Sequence, residues 1–214
     1  MNVPLAFRRA AGLSALALMQ SIAAAGSLTV KVGGETGAAL GEVGVYAEPA
    51  VALAPLKTAP KAEIEQRARK FSPRVSIVQT GTEISFPNND TVRHHVYSFS
   101  PAKIFDIKLY SAGTPGNPGP FDKAGTVVVG CNIHDQMVAY IHVVNTPYFA
   151  KTDAAGQARI NGLPPGKYVL KAWHYNLANG AAIPEQTLII ADADATASFK
   201  LNVKAAITSG AAGY

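Results

Sequence analysis

At 214 residues, with 48% hydrophobic and 15% charged side chains, the chain holds enough apolar material for one large core or two small ones, and it is not of the disordered class. The formal net charge is +5, and removal of a leader carrying Arg8 and Arg9 would leave +3. A charge of that size suits a soluble domain. With no basic cluster carrying interleaved aromatics, it makes no case for nucleic acid as a partner.

Residues 1–25 read as a secretory signal. Arg8 and Arg9 give the positive start, Ala10 to Ala24 is Ala/Leu-rich and almost uncharged, and Ala23-Ala24-Ala25 supplies the small residues of a cleavage site. That apolar run is shorter than the roughly 20 residues needed to span a bilayer, and no later run is long enough. The expected setting is the periplasm, with no stable membrane insertion once the leader is removed. An exported chain usually pairs its cysteines, and this one has a single Cys131, which must pair between chains, stay free or bind something.

Past the leader, period-two alternation dominates. Leu28, Val30 and Val32 alternate with polar neighbours, as do Val43 and Val45. Ala50 to Lys70 breaks the pattern: its first half is an Ala/Pro linker, and Lys61 to Lys70 is expected as a short exposed helix or irregular chain. Val75 and Ile77, then Ile84 and Phe86, flank the turn Gln79-Thr80-Gly81. Ser111 to Pro120 is a Gly/Pro loop. Thr126 to Cys131 is a β-branched run, and Met137, Ala139, Ile141 and Val143 fall on one face of the next. Tyr168, Leu170 and Ala172 alternate near the end, followed by Phe199, Leu201 and Val203. The 19 Gly and 14 Pro sit mostly between these runs. The fold class is all-β, built from β-sandwiches.

The chemistry concentrates in Cys131-Asn132-Ile133-His134-Asp135-Gln136-Met137. A thiolate, an imidazole and a thioether recur at three-residue intervals, and a tight loop between two strands can turn all three onto one point. With one more imidazole this is the ligand set of a blue-copper centre: two nitrogens and the thiolate in a trigonal plane, methionine as the weak axial donor. The second imidazole comes from His94 or His95, adjacent on a strand and therefore pointing to opposite faces. His142 and His174 read as surface or interface residues.

Phe86, Asn88 and His94-His95-Val96, followed by Phe121-Asp-Lys-Ala-Gly125 and the Cys-x-x-His-x-x-Met run, resemble the cupredoxins, the group of amicyanin, plastocyanin and pseudoazurin. The resemblance covers roughly residues 70 to 145, and the ligand-loop spacing is that of the shorter amicyanin type. It implies a Greek-key β-sandwich holding one type 1 copper through His94, Cys131, His134 and Met137. Counting from Phe86 and Asn88 selects His94, and counting back from Phe99 selects His95; the Asn88 spacing and Val96 together favour His94. The implied function is one-electron transfer between a redox protein donor and acceptor, not enzymatic turnover. By analogy with amicyanin, the donor is a methylamine-type periplasmic dehydrogenase. The alternatives are a non-redox copper-binding or storage module and a noncatalytic β-sandwich scaffold.

A second resemblance lies in Thr152-Asp153-Ala-Ala-Gly156 and Leu163-Pro-Pro-Gly166-Lys-Tyr168. These are similar to the carboxypeptidase-regulatory, transthyretin-like module. The organisation expected is a leader at 1–25, a small sandwich split between 26–59 and 148–205, a cupredoxin domain at 60–147 inserted in it or packed beside it, and a flexible tail at 206–214. Asp153 and Gly156 are expected as turn residues.

Overall fold

The computed structural model describes residues 26–54, 57–113, 115–178, 181–191 and 193–204. The leader at 1–25 and the tail at 206–214 lie outside the described residues. Among those described, every regular element is a strand, and no helix is long and apolar enough to cross a membrane.

The described chain opens with β1 (Gly26–Gly34) and β2 (Gly44–Pro49). Next come β3 (Lys61–Glu63), β4 (Glu65–Arg67), β5 (Lys70–Ser72), β6 (Val75–Gln79), β7 (Thr82–Ser85), β8 (His94–Ser100), β9 (Lys103–Tyr110), β10 (Pro120–Phe121), β11 (Gly125–Gly130) and β12 (Val138–Val144). The last group is β13 (Phe149–Lys151), β14 (Gln157–Leu163), β15 (Gly166–Trp173), β16 (Glu185–Ile190) and β17 (Ala195–Leu201).

Two cores form. One draws on Leu28, Val30, Val45, Ile160, Leu170 and Leu201, so it joins the first two strands to the last five. Its sheets run β14-β1-β17 and β13-β2-β15-β16. The turn after β13 is held by Asp153, whose carboxylate accepts from the amides of Ala155 and Gln157. Gly156 sits there at φ +70, where a Cβ would meet the Val32 carbonyl oxygen at 2.4 Å, so no other residue fits.

The other core takes Ile84, Phe86, Val96, Phe121, Val127, Ala139, Ile141 and Val143 from the middle of the chain, together with Cys131 and Met137. It lies between the five-stranded sheet β6-β12-β11-β8-β9 and the smaller sheet β10-β7-β3. The turn at Gly81 (φ +91) does not close a hairpin. It carries the chain from β6, which pairs parallel with β12, to β7, which pairs with β3 and β10 in the other sheet.

Lys61 to Lys70 is neither helix nor irregular. It forms β3, β4 and the start of β5, with β4 and β5 closed as a hairpin by Ala68 and Arg69 at φ +52 and +55. The segment's charge hides the reason. Ile64, Gln66 and Phe71 face inward, and Ile64 and Gln66 donate their amides to the carbonyls of Ser85 and Pro87. Two consecutive left-handed residues make the tight turn without the Gly or Asn that usually announces it.

A third apolar cluster, with Tyr46, Val75, Val144 and Trp173 at its centre, joins the two sandwiches. At this seam Gly44 leaves space that a side chain would take: a Cβ would stand 2.3 Å from Cδ1 of Ile77.

Candidate metal centre

The Gly130–Val138 pair is the last rung of the β11–β12 ladder, and Cys131 to Met137 is the loop that closes it. The Met137 amide donates to the His134 carbonyl at 2.8 Å, and the Val138 amide donates to the Gln136 carbonyl at 3.1 Å. These bonds fold the loop back on itself. Cys131 and Met137 are buried and belong to the core, His134 is half-buried, and Ile133 is 48% exposed beside it.

From the opposite side, β8 begins at His94, which is fully buried. Its Nδ1 lies 4.0 Å from Sγ of Cys131, and Nδ1 of His134 lies 3.8 Å from the same sulfur. The His94 and His134 rings are 5.0 Å apart between centroids, inclined at 60°. One donor atom from each of the three residues falls within 4.8 Å of the others. An ion in a trigonal plane, with bonds of about 2.0 Å to nitrogen and 2.3 Å to sulfur, keeps nitrogen and sulfur roughly 3.8 Å apart. Both nitrogen–sulfur separations are close to that value, so these residues fit a bound ion. The fourth sequence candidate, Met137, is buried in the same core at the end of the loop.

Of the two adjacent histidines, His94 is the one that meets Cys131. The β8–β9 register is irregular between His94 and Val96. His95 turns to the other side, where Nε2 pairs with the Asp106 carboxylate, itself paired with Lys108. Lys108 and then His95 hold the Asp106 carboxyl below its ordinary value.

Two residues not singled out as functional frame His94. Asn88 accepts the Asp90 amide at 2.9 Å and donates to the carbonyls of Val92 and Tyr110, fixing the turn before β8. The Asp90 carboxylate then lies 2.7 Å from His94 Nε2, within hydrogen-bond distance. Burial would raise the Asp90 carboxyl, but hydrogen bonds from Arg69, His94 and Ala68 outweigh it and hold the group below its usual range. A carboxylate four residues before a buried histidine, inside an Asn-Asn-Asp turn, was the available sequence signal.

His142 lies at the seam, and it is an interface residue rather than a surface one. It stacks on Trp173 at 4.5 Å and 7°, with Nε2 3.3 Å from the Tyr46 hydroxyl and Nδ1 3.1 Å from Thr126 Oγ1. Burial pushes its pKa down to about 4. His174 is likewise buried, stacked on Tyr175.

No family model and no curated relative matches the chain. Solved structures do. A purple cupredoxin from Nitrosopumilus maritimus aligns at 22% identity and TM-score 0.35, over 39% of this chain and 99% of its own. The copper-containing nitrite reductase NirK from Thermus scotoductus aligns at 24% and 0.38, over 46% of this chain and 26% of the reductase, so this chain spans about a quarter of that enzyme. A reduced amicyanin variant aligns at 16% and 0.36, over 42% of this chain and 86% of its own. Each of the three alignments spans less than half of this chain.

Proposed function

We propose that the chain is an exported, periplasmic type 1 copper protein that carries single electrons between redox proteins and is not an enzyme. One observation carries the reading: Cys131, His134 and His94, from segments far apart in the chain, bring one sulfur and two nitrogens to the spacing of a three-coordinate ion. Bound there, copper would supply a one-electron couple between Cu(I) and Cu(II). The soft thiolate of Cys131 favours the reduced ion, and the imidazoles suit both states.

The protein's own part is rigidity and access. His94 and Cys131 are buried in packed strand ends, so the donors have little freedom to rearrange when the charge changes. His134 is half-exposed and is the exit for the electron, with Ile133 as an apolar neighbour on the same loop. Met137 is assigned as the weak axial donor that tunes the potential. A methylamine-type periplasmic dehydrogenase is the proposed electron donor, by analogy with amicyanin. The leader at 1–25 is proposed to direct export. The sandwich at 26–59 and 148–205 is proposed as a carboxypeptidase-regulatory-like scaffold around a copper domain at 60–147.

The experiment is metal loading. Cu(II) added to the purified mature protein is expected to give an intense thiolate-to-copper absorption band, absent in Cys131→Ser, and reversible voltammetry. Binding without the band would favour a storage module. A colourless protein that binds nothing would leave only the scaffold.

A further inference from the structure

We infer that Asp90 is a positioning residue that sets the tautomer of His94 and lowers the potential of the site, with its own place fixed by the main chain of the β4–β5 hairpin. The inference rests on the copper reading for its redox consequence, but its structural half stands without it.

His94 has two ring nitrogens and one of them must carry the proton in the neutral ring. A ligand imidazole needs the proton on the nitrogen that faces away from the metal. Here Nδ1 faces the Cys131 sulfur and Nε2 faces Oδ2 of Asp90 at 2.7 Å. A carboxylate can only accept at that distance, so it draws the proton to Nε2 and leaves the Nδ1 lone pair directed at the metal position. The ring is therefore aimed and correctly protonated before any ion arrives. A carboxylate on the far side of a ligand also makes the ring a stronger donor, which favours the more highly charged ion.

What holds Asp90 is the unexpected part. Oδ1 accepts from the Ala68 amide at 2.6 Å, and Oδ2 accepts from the Arg69 amide at 2.9 Å. Both residues have left-handed backbone, and their turn presents two adjacent amides to one carboxylate. The hairpin is itself laid along the segment before β8. Gln66 donates its amide to the Pro87 carbonyl, Asn89 donates to the Gln66 carbonyl, and the Asn89 side chain donates to Glu65. A charged, polar stretch at 65–70, with no metal ligand in it, thus fixes a ligand through one intermediary.

The test begins with the wild-type protein without metal. Long-range 15N NMR of the histidine rings is expected to show His94 protonated at Nε2 and bare at Nδ1. A ring protonated at Nδ1, or an even mixture, overturns the inference whatever copper does. In folded Asp90→Asn, the tautomer preference is expected to weaken and Cu(II) affinity to fall about 10–100-fold. If Cu(I) affinity is unchanged, each tenfold loss raises the one-electron potential by about 59 mV. Asp90→Glu, which keeps the charge, is expected to recover part of both effects. An Asp90→Asn protein with wild-type tautomer, affinity and potential overturns the inference while the copper reading stands. A wild-type protein with the expected tautomer but no thiolate band would instead sink the copper reading and leave the positioning of His94 intact.

Discussion

His94 and His142 are both buried histidines on strands of the same five-stranded sheet, and they have opposite settings. His94 sits at the end of β8, with a carboxylate on one nitrogen and a thiol sulfur near the other. His142 sits within β12 between the two sandwiches, against the Trp173 ring and the hydroxyls of Tyr46 and Thr126. The first has an anion to order its proton and a soft donor to share a metal with. The second is partnered by neutral groups, and burial makes it a poor base. Depth alone does not make a histidine a ligand; the charge and softness of the groups around it do.

That contrast can be broken most directly by truncation. His94→Ala is expected to lower Cu(II) affinity by more than the roughly 100-fold known for losing an outer partner, whereas His142→Ala should leave it near wild type. Competition titration against a chelator reads both, and equal losses would end the comparison. Trp173→Ala removes the other half of the seam stack. It is expected to cost about 3–5 kcal/mol of stability in chemical denaturation while the metal site's absorption stays in place. A change in the copper spectrum would show that the seam and the centre are not separable.

Acid should act on the seam. The folded pKa of His142 is about 4, against 6.5 in the unfolded chain. Between those values the unfolded state binds the extra proton, so this group's contribution is flat above about pH 6.5 and stability falls as pH drops toward 4. The full loss is about 3 kcal/mol. In His142→Phe, which keeps a ring against Trp173, that part of the acid sensitivity should vanish when denaturation midpoints are compared from pH 4 to 7. The smallest effect is expected from Met137→Leu, which preserves volume in the core. Stability should change by less than about 1.5 kcal/mol, with the thiolate band retained and its shape altered.

Much of this was legible in the chain. Alternation placed the strands at Leu28, Val43, Val75, Ile84, Met137, Tyr168 and Phe199, because a half-buried strand must repeat every two residues, but it did not mark β9, β14 or β16. The spacing of Cys131, His134 and Met137 marked the loop, since so short a segment leaves its side chains few places to converge. The hairpin at 65–72 was hidden for the opposite reason. Its inward residues include a glutamine, and its turn uses Ala68 and Arg69, which carry no turn signal.

Composition, strand periodicity and the Cys-His-Met run thus follow from local rules that any stretch of chain must obey. Three things depend instead on contacts between distant segments: that His94 rather than His95 turns to the sulfur, that Asp90 stands behind it on two main-chain amides, and that His142 lies sealed at a seam. Each is settled by which strand face another element covers. The covering residues lie tens of positions away, so the local pattern, even where it sets Asp90 four residues before His94, does not decide them.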